Sequence, residues 1–200
     1  MAAIADACST GRLRAQVLAV ISDRANAPGL EAARARKLAT RCVSPSDYVG
    51  RSEYDAALSD VVNGYSADVL VLAGFMRILG ADFVNARRGK ILNVHPSLLP
   101  AYPGLHTHRR ARADGATVHG ATVHFVTTEL DGGPAVLQGR LKLHIGDSEA
   151  TLSARVQAIE HIIYPRVLDW LASGRLRCPS GVPQLDGRPL RRALVEDFDV

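Results

Sequence analysis

The sequence predicts an α/β fold in which a mostly parallel sheet carries helices on both faces. Two observations support this prediction. Short apolar runs alternate along the chain with segments of helical composition, and the strongest run, Asp68–Gly74 (DVLVLAG), is apolar on both of its faces. A parallel strand covered by helices has that pattern, because both faces are buried. The 200 residues, of which 47% are hydrophobic, suit one domain with a substantial core.

The first half of the chain alternates strand-like and helix-like segments. Strands are expected at 17–22, 41–44, 68–74 and 91–95, and helices at 30–39, 52–65 and 81–88. Strands that alternate with helices at this spacing are typical of a doubly wound, Rossmann-like sheet.

The pattern changes after residue 115. Segments 117–126 and 135–144 are predicted to be strands joined by ELDGG, which is compatible with an antiparallel extension of the sheet. A long helix should then begin at a cap on Asp147 or Ser148, bend at Pro165 and end at Gly174. Its buried stripe is predicted to be Leu152, Val156, Ile159, Ile163 and Val167. Residues 1–176 are expected to form one domain, and 177–200 a surface tail with a small hairpin around LDGRPL.

Composition disfavours several classes of protein. The 24 basic and 20 acidic residues leave a net charge of +4, and the densest basic stretches, Arg34–Lys37 and Arg109–Arg112, contain no aromatic residue, which disfavours nucleic-acid binding. Three distant cysteines, an odd number, indicate neither a disulfide framework nor a metal knuckle. There is no apolar run of membrane-spanning length and no basic-then-apolar signal peptide, so we expect a cytoplasmic protein without a membrane partner.

Several motifs of cofactor and metal enzymes are absent. Neither HExxH nor CxxC occurs, so no metal site is expected. No GxGxxG follows a predicted strand, which argues against a nicotinamide dinucleotide, and GxSxG is missing, which argues against a serine hydrolase. His119 and His124 are five residues apart and should point to opposite faces of their strand.

Polar groups end the predicted strand Ile91–His95 (ILNVH), at the edge of an α/β sheet where ligands bind. Asn93 and His95 are two residues apart, so their side chains share one face. A carboxamide donor beside an imidazole is what an acyl-transfer site needs around a developing oxyanion. Either residue alone is more often structural. Both on one face, followed by a double-proline loop, favour a catalytic site.

The turn Asp131-Gly132-Gly133-Pro134 is a second candidate, and the residues leave two alternatives equally open. Glycines with positive φ would let the loop fold back and direct the Asp131 carboxylate inward. Asp-Gly is also the commonest dipeptide of an ordinary hairpin turn.

Three stretches resemble a known family: VLVLAGFMRIL (69–79), ILNVHPSLLPAYPGLHTHRRA (91–111) and HGATVHFVTTELDGGPAVLQ (119–138). They closely resemble the phosphoribosylglycinamide formyltransferases, the folate-dependent enzymes of purine synthesis, and the similarity runs from Met1 to about Leu176. The wider formyltransferase superfamily shares the Asn–His–Asp trio and the HPSLLP loop, whereas LHTH and AGFMRIL narrow the resemblance to the purine enzymes. Methionyl-tRNA formyltransferases differ after HPSLLP and carry an extra domain.

The resemblance implies transfer of the formyl group from 10-formyltetrahydrofolate to the amine of glycinamide ribonucleotide, in de novo purine (IMP) biosynthesis. It places Asn93, His95 and Asp131 at the catalytic positions. Asn93 would donate a hydrogen bond to the developing oxyanion. His95, as imidazolium, would stabilise the same charge and supply a proton. Asp131 would favour that protonated state and help to relay the proton of the amine.

The resemblance also implies binding residues and small-molecule partners, with no metal and with the oligomeric state left open. The folate positions are Arg51, Met76, Arg77, Ile78, Leu79, Asn93, Thr127, Thr128, Glu129, Leu130 and Asp131. The ribonucleotide positions are Gln157 and Glu160, which lie three residues apart on one face of the long helix. Without the family, Met76, Ile78 and Leu79 are typical of a core, and Gln157 and Glu160 of a solvated helix face.

One feature of the family has no counterpart here. A buried first strand and a Gly-Ser-Asn loop that cradles the substrate phosphate precede, in the family, the helix with which residues 1–8 align. The sequence therefore predicts that this strand and cradle are missing, and that the loss opens a gap inside the sheet. Two alternatives follow: a sister formyltransferase that acts on another amine, and a truncated, inactive paralogue without phosphate binding.

Overall fold

The computed structural model describes residues 1–200 and confirms the α/β class. The helices are α1 (Ala2–Ser9), α2 (Pro28–Ala35), α3 (Arg51–Asn63), α4 (Ala81–Asn85), α5 (Thr107–Ala113) and α6 (Glu149–Ala172). The strands are β1 (Val20–Ser22), β2 (Thr40–Cys42), β3 (Leu70–Leu72), β4 (Ile91–His95), β5 (Val118–Phe125), β6 (Ala135–Lys142), β7 (Leu176–Arg177), β8 (Gln184–Leu185), β9 (Arg188–Pro189) and β10 (Leu194–Asp197). None of the helices combines the length and the apolar character needed to span a membrane.

The central sheet has five strands in the order β10-β6-β5-β4-β3 and is mixed. β3 and β4 are parallel, as are β6 and β10, whereas β5 runs antiparallel to both of its neighbours. The two long strands after residue 115 therefore form the antiparallel extension that the sequence allowed.

Both faces of this sheet are covered. Ile91 and Leu92 are adjacent in β4 and fully buried, yet they belong to different hydrophobic clusters. Leu92 packs in the larger cluster, which includes residues of α1 and α6, and Ile91 in the smaller one, which includes residues of α3 and α4. Alternate residues of a strand point to opposite faces, so the two clusters are the two cores of a doubly covered sheet.

The long helix α6 provides most of the larger core. All five side chains of the predicted stripe are fully buried, from Leu152 to Val167. Ser148 caps the helix by accepting a hydrogen bond from the Thr151 amide at 3.0 Å, and Gly174 follows the helix with φ +73°, which suits glycine. The helix continues through Pro165, and the bend expected there stays a prediction.

β1 and β2 form a separate two-stranded parallel sheet. β1 pairs only with β2, and β3 pairs only with β4, so no backbone ladder joins the two sheets. Ile21 of β1 nevertheless packs on the same hydrophobic cluster as Leu70 and Leu72 of β3. All three residues of β3 are half-buried, although the sequence predicted a strand buried on both faces there.

The segment 177–200, expected to be a surface tail, contributes to the central sheet. β7, β8 and β9 form a small antiparallel sheet that contains the predicted hairpin at LDGRPL. β10 then adds a parallel edge strand to β6, and Arg140 holds Asp197 through two hydrogen bonds of 2.6 and 2.9 Å. Sequence inspection missed β10 because its LVED residues lack a continuous apolar run.

Candidate functional site

Strand β4 presents Asn93 and His95 at its carboxyl end, on one face as predicted. Antiparallel pairing with β5 places His124 opposite Asn93 and Thr122 opposite His95. The loop after β4 returns toward this end, because Thr122 Oγ1 donates to the Ser97 carbonyl and accepts from the Leu99 amide.

His124 sets the orientation of the Asn93 amide. The Nδ1 atom of His124 lies 3.0 Å from the carbonyl oxygen of Phe125, which can only accept, so Nδ1 carries the proton. Nε2 then accepts a hydrogen bond from Asn93 Nδ2 at 3.1 Å. Burial lowers the pKa of His124, which keeps the ring neutral and able to accept. One N–H of the Asn93 amide is thereby used, and the other makes no hydrogen bond within the protein.

His95 is nearly buried and has a partner for each ring nitrogen. Nε2 lies 3.0 Å from the backbone carbonyl oxygen of Tyr102 and donates to it. Nδ1 lies 3.5 Å from Asp131 Oδ2. The exposed fractions of the His95 and Asp131 side chains are 8% and 10%. In the doubly protonated ring both N–H groups would therefore face an oxygen acceptor.

Asp131 lies on the connection between β5 and β6, beside His95 and beside His124, the hydrogen-bond partner of Asn93. Its Oδ2 accepts a hydrogen bond from the Gly104 amide at 2.8 Å, and its Oδ1 is 4.0 Å from His124 Nε2. Of the two alternatives for this segment, the inward-directed carboxylate is the one observed; nine residues separate β5 from β6, so the segment is not a tight Asp-Gly hairpin turn.

The glycines of that connection do not supply the positive φ that was expected of them. Asp131 itself has the positive φ, +51°, and neither Gly132 nor Gly133 does. A Cβ on Gly133 would lie 1.8 Å from the Phe125 carbonyl oxygen, so this position is restricted by close approach of two backbone segments.

Four of the folate positions line a cleft of about 400 Å³. Arg51, Met76, Arg77 and Ile78 form its walls together with residues such as Tyr54, over whose ring the Arg77 guanidinium lies at 5.1 Å. Arg51 is within 3.5 Å of Asp55, one helical turn further along α3. The lining of this cleft does not include Asn93, His95 or Asp131.

The apolar folate positions divide by exposure. Met76 is 75% and Ile78 60% exposed, so the core placement typical of such residues is wrong for both. Leu79 is buried in the smaller core, as that placement predicts. The remaining folate positions lie on the connection between β5 and β6. There Thr127 is half-buried, Thr128 and Glu129 are exposed, and Leu130 is 57% exposed. Exposed large apolar side chains beside a cleft are typical of a ligand surface.

Gln157 and Glu160 lie on α6, and no hydrogen bond or ion pair connects either to the trio. Gln157 is exposed, as expected of a solvated face, but Glu160 is half-buried. Burial raises the pKa of Glu160 to about 7, against the opposing charge of the Met1 amino group. Near neutral pH this carboxyl group can therefore both donate and accept hydrogen bonds.

Sequence inspection missed three groups at the site: the His124 ring, the Tyr102 carbonyl and the Gly104 amide. A histidine beside the trio could have been found only from the register of β4 against β5, which the residues alone do not specify. His108 and His119 form a further pair of histidines, in which His108 Nδ1 lies 3.1 Å from His119 Nε2. No group of three or more His, Cys, Asp or Glu side chains is arranged to hold a metal ion.

Comparisons with known proteins agree with this geometry. A family model described as formyl transferase matches residues 1–168. The chain is 50% identical to the phosphoribosylglycinamide formyltransferase of Escherichia coli, over 94% of this chain and 89% of that protein. It is 40% identical to the Haemophilus influenzae enzyme of the same name, over 95% and 90%. The solved phosphoribosylglycinamide formyltransferase of Coxiella burnetii superposes with a TM-score of 0.92, at 44% identity, covering 96% of this chain and 92% of that one.

Proposed function

Because the chain belongs to the formyl transferase family, we infer that it is a phosphoribosylglycinamide formyltransferase. It transfers the formyl group of 10-formyltetrahydrofolate, its co-substrate, to the amine of glycinamide ribonucleotide in purine biosynthesis. The observation that best supports this inference is that Asn93, His95 and Asp131 come together at the carboxyl end of β4, in a chain that matches formyltransferases over nearly its whole length.

We propose that the trio stabilises the tetrahedral intermediate formed when the amine attacks the formyl carbon. The free N–H of Asn93 donates to the oxygen of the former carbonyl group as that oxygen becomes negative. A protonated His95 ring, held between the Tyr102 carbonyl and the Asp131 carboxylate, adds a positive charge. The proton lost by the amine then passes to the leaving nitrogen of tetrahydrofolate, with Asp131 and His95 as the nearest carriers.

We propose that the cleft beside Arg51 and Arg77 holds the folate. Its exposed apolar walls, Met76 and Ile78, suit a flat ring, and two guanidinium groups suit carboxylates. The loop 127–130 supplies backbone groups on the other side of the trio.

We propose that Gln157 and Glu160 contact the ribonucleotide. A carboxyl group with a pKa of about 7 can donate one hydrogen bond to a ribose hydroxyl and accept another. All partners in this proposal are small molecules. A cytoplasmic location is supported by the three cysteines, all of which are free, because reduced thiols persist in that compartment.

The test is a formyl-transfer assay with purified protein, 10-formyltetrahydrofolate and glycinamide ribonucleotide, run beside a panel of other amines such as amino sugars. We expect turnover with the ribonucleotide and a loss of about 10²- to 10³-fold in Asn93→Ala. If the enzyme transferred the formyl group to another amine in preference to glycinamide ribonucleotide, that amine would be its acceptor and the proposed one would be wrong. Equal turnover in the wild type and in Asn93→Ala would remove Asn93 from the mechanism.

A further inference from the structure

The loop between β4 and α5 contacts two of the proposed catalytic groups through its backbone. The Tyr102 carbonyl accepts from His95 Nε2 at 3.0 Å, and the Gly104 amide donates to Asp131 Oδ2 at 2.8 Å. The path of residues 102–104 therefore determines where both the imidazole and the carboxylate are held.

This part of the loop has a backbone that most residues disfavour. Tyr102, Gly104 and His106 have φ values of +56°, +74° and +58°. Glycine adopts such values freely, but tyrosine and histidine do so only where surrounding contacts hold them. Contacts from outside the loop must therefore keep residues 102–106 in place.

Arg110 of α5 supplies those contacts. Its Nη1 donates to the carbonyl oxygens of Pro103, at 2.5 Å, and Leu105, at 3.4 Å, which flank Gly104. Its guanidinium also lies over the Tyr102 ring, 5.6 Å from the centroid. One side chain thus contacts the loop at Tyr102, at Pro103 between the two backbone groups that touch the site, and at Leu105 just after them.

We propose that Arg110 is a positioning residue for formyl transfer, acting through the loop 102–105 on His95 and Asp131. This inference rests on the proposed function. Arg110 makes none of the site's own contacts, so its effect must pass through the Tyr102 carbonyl and the Gly104 amide.

Outside the site, the Tyr102 ring also meets the His119 ring edge-on, with centroids 6.0 Å apart, but Arg110 is the side chain that donates hydrogen bonds to the carbonyl groups on either side of Gly104. The earlier part of the loop is held on the sheet instead, where Gln138 Nε2 donates to the Leu99 carbonyl at 2.7 Å. Arg109 and Arg112 are exposed on the same helix and make no hydrogen bond or ion pair. Lysine at position 110 could reach one carbonyl, but it lacks the planar group that lies over Tyr102.

The experiment compares steady-state kinetics of the full chain with those of Arg110→Ala and Arg110→Lys, with Arg109→Ala and Arg112→Ala as matched controls. In Arg110→Ala we expect kcat to fall about 10- to 100-fold, because small displacements of catalytic groups have effects of that size. KM for both substrates should change little, and Arg110→Lys should recover part of kcat. The two controls should match the wild type, and circular-dichroism melting should show that every variant is folded.

A double-mutant cycle with Asp131→Asn separates positioning from a general structural effect. If Arg110 acts through the site, adding Arg110→Ala to Asp131→Asn should reduce kcat by much less than it does in the wild type. Full additivity, an unchanged kcat in Arg110→Ala, or an equal loss in Arg109→Ala would each overturn the proposal. Absence of formyl transfer by the wild type would instead overturn the proposed function, so the two failures are distinguishable.

Discussion

Asp131 occupies a left-handed backbone conformation, with φ +51°, that asparagine also accepts. Asp131→Asn should therefore keep the loop, since the amide oxygen can still accept from the Gly104 N–H, while it removes the negative charge beside His95. We expect kcat to fall about 10²- to 10³-fold with little change in melting temperature.

Asp186 provides the matched control for this substitution. It too has φ +51°, but it lies in the exposed turn between β8 and β9, where Arg175 is its partner. Asp186→Asn should leave kcat unchanged. A kcat near that of the wild type in Asp131→Asn would exclude the carboxylate from the mechanism.

His119 is a buried histidine whose environment favours the neutral ring. Burial lowers its pKa from the ordinary 6.5 to about 4, with His108 as a further cause. Between those values the unfolded chain binds more protons than the folded one, so the free energy of unfolding should decrease as the pH falls from 6.5 to 4. The decrease attributable to this ring is at most about 3 kcal/mol.

Urea unfolding at pH 7.5 and pH 5 measures this effect. His119→Gln should reduce the difference in unfolding free energy between the two pH values, and the same substitution at exposed His161 of α6 is the control. A difference between the two pH values that is the same in His119→Gln as in the wild type would contradict the expected effect. Glu160, whose pKa burial raises to about 7, acts in the opposite direction to His119, so the net sign in the wild type does not test the ring. His108 and His124, whose pKa values are also lowered by burial, act in the same direction as His119.

The connection between β5 and β6 depends on how closely its two ends approach. The Phe125 amide donates to the Pro134 carbonyl at 3.0 Å, and a Cβ on Gly133 would overlap the Phe125 carbonyl oxygen. Gly133→Ala must therefore displace one end of the connection, and with it Asp131. We expect a loss of at least about 1–3 kcal/mol in unfolding free energy, together with reduced kcat.

Gly146 is the matched control in the next connection along the chain. Its Cβ would meet nothing within 4 Å, and its φ is not positive. Gly146→Ala should be neutral or slightly stabilising, because alanine restricts the unfolded chain. Equal stabilities of the two variants, measured by thermal melting, would show that the close approach at Gly133 does not restrict the connection.

At the scale of the whole molecule, the interruption between the two parallel sheets leaves one edge of β1 and one edge of β3 without a backbone partner. In β1 the Val20 amide donates to the Ala39 carbonyl at 2.9 Å, and in β3 the Leu70 amide donates to the Lys90 carbonyl at 2.8 Å. Successive residues of a strand direct their amides to opposite edges, so Ile21 and Val71 face the unpaired edges. Such edges are sites of local opening and of strand addition.

Hydrogen exchange followed by NMR tests this difference within single strands. We expect the amides of Ile21 and Val71 to exchange at least about tenfold faster than those of Val20 and Leu70, because only the latter are hydrogen-bonded in a ladder. The two amides of each pair lie in the same strand at a similar depth, so the hydrogen-bonded amide is the control for its unbonded neighbour. Equal protection of Val71 and Leu70 would show that the β3 edge has a partner in solution.

The sequence by itself determined the fold class, the main elements and the strand that carries Asn93 and His95. Local patterns were sufficient for this because apolar runs, helix caps and the two-residue period of a strand act over a few neighbouring positions. The stripe of α6 and its Ser148 cap followed from that information alone. The family resemblance then located Asp131 and the binding positions, whose roles stay proposals.

Only the tertiary structure decided what surrounds those residues. The His124 ring beside Asn93, the Tyr102 carbonyl on His95 and the Gly104 amide on Asp131 all come from segments distant in the chain or from the path of a loop. The sequence likewise did not indicate that Met76 is exposed or that β10 joins the sheet. Register, loop path and burial arise from contacts between remote segments, and a local pattern carries no information about them.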